Sequence, residues 1–471
     1  MSQEQNSVQS GPSAKKMKSN DEENNPAERA VVINVVQQLA DIFKLNIDCF
    51  EEVFDYLSLK DLAAIGQTCK RMQQIAGHCF QLNYGAIQAR FYECGFDCKD
   101  VKIDCFSNLI QSVYLRYKIN YNIDERDERT DTGVKNAINN QTKNFLTPFK
   151  HFTPIKEITI GEVHLTMAWI NEMEAILCKV ESVTLESVII GGENELDAFI
   201  AACSHIKYLC LCVETNGHQW MHRTYPTLEH IELDFFDWEE IPTLITFLEL
   251  NTTIKEFSFD PEHFWSNREL LKKSNIKLDT LVIHLDEHEV EFDLFCCLLN
   301  ELFESGFYKK LHMFFYRGFW MDQECVNELA LVKGIVKFYA GTNSYGYNIG
   351  ALRNLEELRI FDCDIITDLK TLPQIFLKLK RIDLRHTSSD DILTFICHSK
   401  SLNKIKVRNY DEHGKILDLF ALNKERAKLV GAHKITIYVE EDVYLATKWA
   451  MKQTDFSLIE MKRSTSYDWG F

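Results

Sequence analysis

The sequence lacks the features that mark several common classes of protein. It contains no run of eighteen apolar residues, so we expect no membrane-spanning helix. Its 15 cysteines form neither CxxC pairs nor a disulfide-like spacing, which favours reduced thiols and therefore the cytoplasm or the nucleus. An excess of basic charge is also missing. The formal net charge is −18, and so acidic a chain repels the phosphates of nucleic acids.

Catalytic and cofactor-binding motifs are missing too. Neither a phosphate-binding loop G-x-x-x-x-G-K-[ST] nor a nucleophile elbow G-x-S-x-G occurs. HLDEH at 284–288 matches the inverted zinc-protease motif H-x-x-E-H, whose ligands must share one helix face. His284 directly follows the strand-like segment LDTLVI, so we interpret HLDEH as strand and turn. We therefore expect no enzymatic activity, no metal and no cofactor.

The body of the chain repeats one apolar pattern from about residue 150 onward. The pattern is L-x-x-L-x-L with any apolar residue at L, and most copies follow one another after 20 to 26 residues. The copies begin at residues 155, 180, 206, 228, 254, 278, 311, 335, 355, 379, 402 and 432. The segments between copies are mostly helix-like, and this period is typical of leucine-rich repeats. One strand–helix unit cannot bury its apolar face alone, so the units are expected to stack.

Residues before the repeats carry a helical pattern instead. Phe50, Val53, Phe54 and Leu57 form one i, i+3, i+4, i+7 stripe. Ser58 begins S-L-K-D, which is a candidate capping box for the next helix. A second stripe runs from Leu62 to Met72, and residues 81–120 continue with helical patterning.

Residues 45–76 resemble an F-box. The family pattern contains a Leu-Pro pair, then I/V-F-x-Y/F-L, x-x-x-D-L and C-x-x-W. Its matches here are Leu45, Phe50, Val53-Phe54, Tyr56-Leu57, Asp61-Leu62 and Cys69. The departures are Asn46, where proline is usual, and Met72, where tryptophan is usual. F-box proteins with C-terminal leucine-rich repeats have the same order of parts.

The resemblance implies a mixed α/β fold. Its parts are an N-terminal helical F-box and a leucine-rich-repeat solenoid of about twelve degenerate strand–helix units. The predicted segments are a disordered polar tail (1–26), a preceding helix (27–44), the F-box (45–84), a helical linker and exposed loop (85–150), the repeats (151–458) and a C-terminal tail (459–471).

The resemblance also implies a role. An F-box docks on the Skp-family adaptor of a cullin–RING ubiquitin ligase, and the repeats then hold a protein substrate for ubiquitination. The adaptor-binding residues expected from it are Leu45, Asn46, Ile47, Phe50, Val53, Phe54, Leu57, Leu62 and Ile65. Three short helices cannot bury so many apolar side chains internally, and an exposed apolar patch usually marks an interface. Alternatively, the helix at 27–44 covers that patch.

Alternate side chains of a repeat strand face the concave side of the array. The predicted substrate-binding residues there are Glu232, Asp234, Phe315, Arg317, Tyr339, Phe361, Arg381, Arg385, Lys404, Lys406 and Arg408. This face runs from acidic through aromatic to basic. The hypothesis is a substrate with a basic segment toward the F-box and an acidic or phosphorylated segment toward the C-terminus. Alternatively, the charges only solvate a β-surface.

Two further functions stay open. One is a leucine-rich-repeat scaffold or inhibitor whose degenerate F-box does not dock, which Asn46 and Met72 favour. The other is a zinc hydrolase, for which HLDEH is the reason.

Overall fold

Short helices precede a long parallel sheet in the part of the chain that the structure describes. The computed structural model describes residues 45–92, 95–116, 149, 154–190, 194–212, 219–234, 241–259, 261–285, 291–316, 319, 321–341, 346–361, 366, 369–410, 416–451 and 456–464. The chain divides into two compact units, Met1–Glu52 and Val53–Phe471. The predicted tail at 1–26, the helix at 27–44 and the loop at 121–143 lie outside the described residues.

Three helices carry the F-box-like stripes. They are α1 (Ile47–Phe54), α2 (Leu59–Gly66) and α3 (Lys70–Tyr84). The N-cap half of the capping-box prediction for Ser58 is confirmed: its Oγ accepts a hydrogen bond from the Asp61 backbone N–H. The Ser58 hydroxyl also donates a hydrogen bond to the Asp61 carboxylate. The cap fixes the first turn of α2. The connection between α1 and α2 spans only residues 55–58.

The stretch after α3 forms strands, so the prediction of a helical linker across 85–150 is wrong for its described first part. The strands are β1 (Gln88–Tyr92), β2 (Gly95–Cys98), β3 (Val101–Lys102) and β4 (Ser112–Arg116). In β1, Ala89 and Phe91 are buried whereas Arg90 between them is exposed. Burial with a period of two belongs to a strand, and this short alternation decides the structure.

The repeat domain continues this sheet, which confirms the predicted α/β class. The strands are β5 (Glu157–Gly161), β6 (His164–Leu165), β7 (Ser182–Glu186), β8 (Ile189–Ile190), β9 (Tyr208–Cys212), β10 (His230–Asp234), β11 (Glu256–Phe259), β12 (Leu278–Leu285), β13 (Tyr308–Phe315), β14 (Ile335–Ala340), β15 (Glu357–Ile360), β16 (Arg381–Thr387), β17 (Lys404–Tyr410), β18 (Ile435–Val439) and β19 (Ile459–Arg463). Each strand from β9 to β19 pairs in parallel with the next one in sequence.

Helices fill the segments between most of these strands. They are α4 (Met167–Leu177), α5 (Glu195–Ala202), α6 (Ile241–Leu250), α7 (Pro261–Ser266), α8 (Arg268–Lys273), α9 (Phe292–Ser305), α10 (Gln323–Leu329), α11 (Leu372–Ile375), α12 (Ser389–His398), α13 (Leu419–Ala427) and α14 (Glu441–Ala450). The L positions of the repeats form the core between strands and helices, as Ile158, Ile382 and Ile405 illustrate with almost no exposed surface. The predicted C-terminal tail contains a strand, because Ile459–Arg463 pairs with β18.

One repeat copy begins three residues earlier than the sequence pattern indicates. Tyr308 lies beside Leu278, and Leu311 lies beside Leu281, so the copy starts at Tyr308 and not at Leu311. This shift turns Phe315 into the core, where only 1% of its surface is exposed. The prediction of Phe315 as a concave-face residue is therefore wrong, and Phe314 takes the concave position instead.

Candidate functional site

The first described segment, 45–52, exposes apolar side chains. Leu45 is 40% and Ile47 is 54% exposed, whereas Phe50 is buried. Asn46, which replaces the usual proline, accepts a hydrogen bond from the backbone N–H of Cys49 at 2.9 Å. The amide oxygen of Asn46 thus caps the start of α1, which gives this residue a structural role that proline cannot have.

From Val53 onward the predicted adaptor-binding residues divide by burial. Val53 is 54% exposed, and Leu57 and Ile65 are half-buried. Phe54 and Leu62 belong to the core. Of these residues, Val53 is exposed and Leu57 and Ile65 are partly exposed. An exposed apolar side chain on a short helix is the type of surface that a partner covers.

The turn after α1 is held by the last repeat. The Asp55 carboxylate accepts a hydrogen bond from the Tyr444 hydroxyl at 2.8 Å and forms ion pairs with Lys448 at 2.7 Å and Arg463 at 3.5 Å. Arg463 also donates to the backbone carbonyls of Asp55 at 2.8 Å and Leu57 at 3.0 Å. The Arg463 side chain is nearly fully buried, so these contacts replace the hydration of its two terminal nitrogens, whereas its buried Nε atom has no hydrogen-bond partner among the described residues.

A second set of contacts joins the same elements. The Glu441 carboxylate accepts hydrogen bonds from the backbone N–H of Leu59 at 2.8 Å and from the Tyr84 hydroxyl. Burial, more than the neighbouring charges, raises the pKa of Tyr84, which keeps its hydroxyl a donor. Trp449 packs edge-on against Tyr56 with ring centroids 5.2 Å apart. Sequence reasoning missed this junction, because nothing local links residues almost four hundred positions apart.

The basic part of the concave face is a regular lattice. In the register of β16 and β17, Arg381 lies beside Lys404, Asp383 beside Lys406, and Arg385 beside Arg408. The side chains alternate with the buried core positions of these strands. The register thus places these five cations on one face of the sheet, and their role in substrate binding stays a prediction. Lys406 is buried, with only 2% of its surface accessible, whereas the other four cations are partly exposed.

Asp383 is a buried anion at the centre of this lattice. Its carboxylate accepts two hydrogen bonds from Arg408, at 3.2 Å and 2.6 Å, and lies 3.4 Å from the Arg359 guanidinium. Burial lowers the pKa of Arg359, although Asp383 opposes that effect. A carboxylate shared by two arginines fixes both guanidinium groups in place.

Aromatic rings occupy the middle of the concave face, and each ring lies under a cation. Lys337 lies 5.3 Å from the Phe314 ring centroid, Arg359 lies 4.5 Å from that of Tyr339, and the third pair, Arg385 and Phe361, is 4.1 Å apart. In each pair the cation comes from the strand that follows the aromatic strand. Tyr339 is therefore buried although it faces the concave side, and Phe361 is half-buried. Tyr339, a predicted substrate-binding residue, therefore lies on the concave side but is not exposed, because Arg359 covers its ring.

The acidic part of the face is paired with tyrosine and histidine. Glu232 accepts a hydrogen bond from Tyr208 at 2.9 Å and lies 3.9 Å from His284. Glu256 lies 3.5 Å from His230 and 3.8 Å from His312.

Burial has opposite effects on the pKa of a carboxyl group and the pKa of an imidazole in this part of the face. Burial raises the pKa of Glu256, but His230 and the nearby cations outweigh it and hold that pKa below its ordinary value. Burial lowers the pKa of His312 to about 4, so His312 is neutral at pH 7. Glu256 is thus ionised at pH 7, and histidine and tyrosine side chains pair with the carboxylates of this part of the face.

Several predicted residues and motifs lie partly or wholly outside the described part. Arg317 and residues 286–288 of HLDEH are not described, and neither is the side chain of Asp234. His284 lies in strand β12, which confirms the strand interpretation of that position. Within the described ranges no cluster of three or more His, Cys, Asp or Glu side chains is arranged to hold a metal ion. No helix in those ranges is long and apolar enough to span a membrane.

Comparison with known proteins identifies one domain. The family model of the F-box domain matches residues 42–79, so the chain carries an F-box domain there. No curated protein sequence matches the chain.

Two solved structures are similar in outline. The Rad7–Elc1 complex of yeast has a chain with 12% identity and a TM-score of 0.31, and the match covers 82% of this chain and 93% of that one. An internalin, InlF of Listeria monocytogenes, has 11% identity and a TM-score of 0.26 over 69% of this chain and 88% of its own.

Proposed function

We propose that this protein is the substrate-recognition subunit of an SCF-type ubiquitin ligase. Its F-box docks on a Skp-family adaptor, which links it to cullin and RING subunits. The concave face of the repeats captures a protein substrate, with Glu232 and Asp234 toward one end and the lattice of Arg381, Lys404 and Arg408 toward the other. The protein contributes binding surfaces and no catalytic group.

One observation carries this proposal. The residues that match the F-box domain include a helix, α1, whose apolar side chains Ile47 and Val53 are each 54% exposed. Such side chains gain free energy when a partner removes them from water, by about 25 cal/mol per Å². Val53 is followed by Phe54, which is buried in the core together with Leu62.

The test is adaptor binding by purified full-length protein. We expect the wild type to bind a Skp-family adaptor, and we expect Ile47→Asp and Val53→Asp each to weaken binding by about tenfold or more, since a carboxylate cannot enter an apolar interface unpaired. Isothermal titration calorimetry measures both affinities. Leu377→Asp is the matched control, because Leu377 is 77% exposed in the repeat domain and its substitution should leave adaptor binding unchanged.

A scaffold with a non-docking F-box is the second candidate. Asn46 favours it, because this residue replaces the usual proline and turns its side chain to the backbone of α1. Absence of adaptor binding by folded wild-type protein, with normal circular dichroism, would select the scaffold and reject the receptor.

A further inference from the structure

We propose that the concave face of strands β14–β18 binds an extended anionic peptide segment, with two acidic or phosphorylated residues four positions apart. The inference rests on the proposed function, because it names the substrate chemistry that the repeats of such a receptor select. It depends on the repeat domain alone and needs no contribution from the F-box.

The concave positions of strands β14–β18 are locally basic. The concave positions of these strands hold seven cations and two carboxylates on a chain whose net charge is −18. The cations are Lys337, Arg359, Arg381, Arg385, Lys404, Lys406 and Arg408, and the carboxylates are Glu357 and Asp383. A positive patch on an acidic protein attracts an acidic partner locally while the remaining surface repels it.

Each of the two carboxylates pairs with two of these cations. Asp383 is bound by Arg359 and Arg408, while Glu357 is bound by Arg381 at 3.0 Å and lies 3.6 Å from Lys337. Both carboxylates of this face are thereby paired with cations of the same face.

Three cations remain beyond these pairs, and one of them, Lys406, is buried. Within the described residues, Arg385 and Lys404 have no carboxylate within ion-pair distance. Each lies instead near an aromatic ring, Arg385 over Phe361 at 4.1 Å and Lys404 near Tyr438 at 5.9 Å. These two side chains are the cations left for a ligand.

The guanidinium group of Arg385 is preorganised by the Phe361 ring. A guanidinium that already rests on a ring loses little conformational entropy when it binds an anion. Arg385 can offer its planar fork to a carboxylate or a phosphate while Phe361 supports the other side. The alternative, a stripe of charges that only solvates the sheet, does not fit the burial of Lys337 and Lys406 or the fixed pairs of Asp383.

The spacing defines the ligand. Arg385 lies beside Arg408, and Lys404 lies beside Arg381, so the two available cations occupy rows four residues apart along the strands. At a rise of about 3.3 Å per residue, these rows are about 13 Å apart. Asp383 and Lys406 fill the middle row and oppose one another in charge. An extended peptide laid along the strands therefore meets positive charge at positions i and i+4.

The experiment measures binding of short fluorescent peptides to the full-length protein by anisotropy at physiological salt. Three peptides share one sequence except at positions i and i+4, which carry glutamate, phosphoserine or serine. We expect the glutamate and phosphoserine peptides to bind and the serine peptide to bind at least about tenfold more weakly. Tighter binding of phosphoserine than of glutamate would assign the anion to phosphorylation, and equal or tighter binding of glutamate would assign it to carboxylates.

Charge-reversal variants locate the site. Arg385→Glu/Lys404→Glu should lose at least about tenfold in affinity for both anionic peptides. The control Lys378→Glu/Lys424→Glu changes net charge equally at two exposed lysines outside the concave strands, and its affinity should stay near that of the wild type. Equal losses in both variants, or no binding of either anionic peptide to the wild type, would overturn the inference. Adaptor binding measured on the same samples separates the two proposals, because peptide binding can fail while adaptor binding persists, and the reverse.

Discussion

Replacement of Arg426 by methionine is expected to lower the free energy of unfolding of the last repeats by about 3 to 5 kcal/mol. Arg426 lies in α13, is fully buried, and donates hydrogen bonds to five backbone carbonyls. The acceptors are Ile396, Ser399, Lys400, Leu402 and His433. Several of these carbonyls follow the end of α12, where helix carbonyls lack intrahelical partners.

The charge of Arg426 is retained in the folded protein. Burial lowers the pKa of Arg426 to about 10, which still leaves the guanidinium protonated at pH 7. Methionine fills a similar volume but leaves the carbonyls without donors, and each buried acceptor without a partner costs about 1 to 3 kcal/mol.

Urea unfolding and hydrogen exchange across 389–439 measure the Arg426→Met effect. Lys424→Met, on the same helix but exposed, should stay within about 0.5 kcal/mol of the wild type. A loss below about 1 kcal/mol for Arg426→Met would show that water replaces the guanidinium, and would contradict the assigned role.

The second large effect is expected at the junction of the F-box and the last repeat. Asp55→Ala removes the shared anion of Lys448 and Arg463 and leaves the buried Arg463 guanidinium without its counterion. Breaking a buried ion pair costs about 3 to 5 kcal/mol, and because Asp55 is partly exposed we expect about 2 kcal/mol. Hydrogen exchange should increase together in α2 and α14, since both contribute to the junction.

A double-mutant cycle tests the coupling at this junction. Asp55→Ala and Arg463→Met should be non-additive, because the two residues share one ion pair and one backbone hydrogen bond. Lys462→Met, the neighbouring and exposed position on β19, serves as the control and should combine additively with Asp55→Ala. Additivity of the first pair would show that the junction does not couple the two elements.

Much of this architecture follows from sequence patterns that depend on neighbours along the chain. The apolar stripe from Phe50 to Leu57 predicts α1 and its turn, and Ser58 predicts the start of α2. The six-residue repeat predicts parallel strands in sequence order, because stacking alone can bury its apolar positions.

The repeat at Tyr308 shows where such patterns become ambiguous. Leu311, Met313, Phe314 and Phe315 are all apolar, so alternation permits two registers. The choice is made by the neighbouring strand β12, whose Leu281 lies beside Leu311. The pattern of a single strand carries no information about the register of its neighbour. The pattern therefore assigns Phe315 to the concave face, whereas the structure places it in the core.

Contacts between repeats are visible in the sequence only after the strands are aligned. The second position of successive copies alternates in sign: Lys156, Glu181, Lys207, Glu229 and Lys255. In the structure these side chains form ion pairs between neighbouring repeats, such as Lys207–Glu181 at 2.6 Å and Lys255–Glu229 at 3.1 Å. Each exposed pair contributes little free energy, but the alternation opposes a slip of register.

The proposed function requires that the protein link a substrate to a ubiquitin ligase through its F-box. The most direct measurement is affinity purification of the tagged full-length chain from cells, with cullin and RING subunits quantified in the eluate. The receptor proposal predicts that both subunits co-purify with the wild type and with Leu377→Asp but are lost with Ile47→Asp/Val53→Asp. Recovery of neither subunit with folded wild-type protein, or equal recovery with the F-box variant, would contradict it.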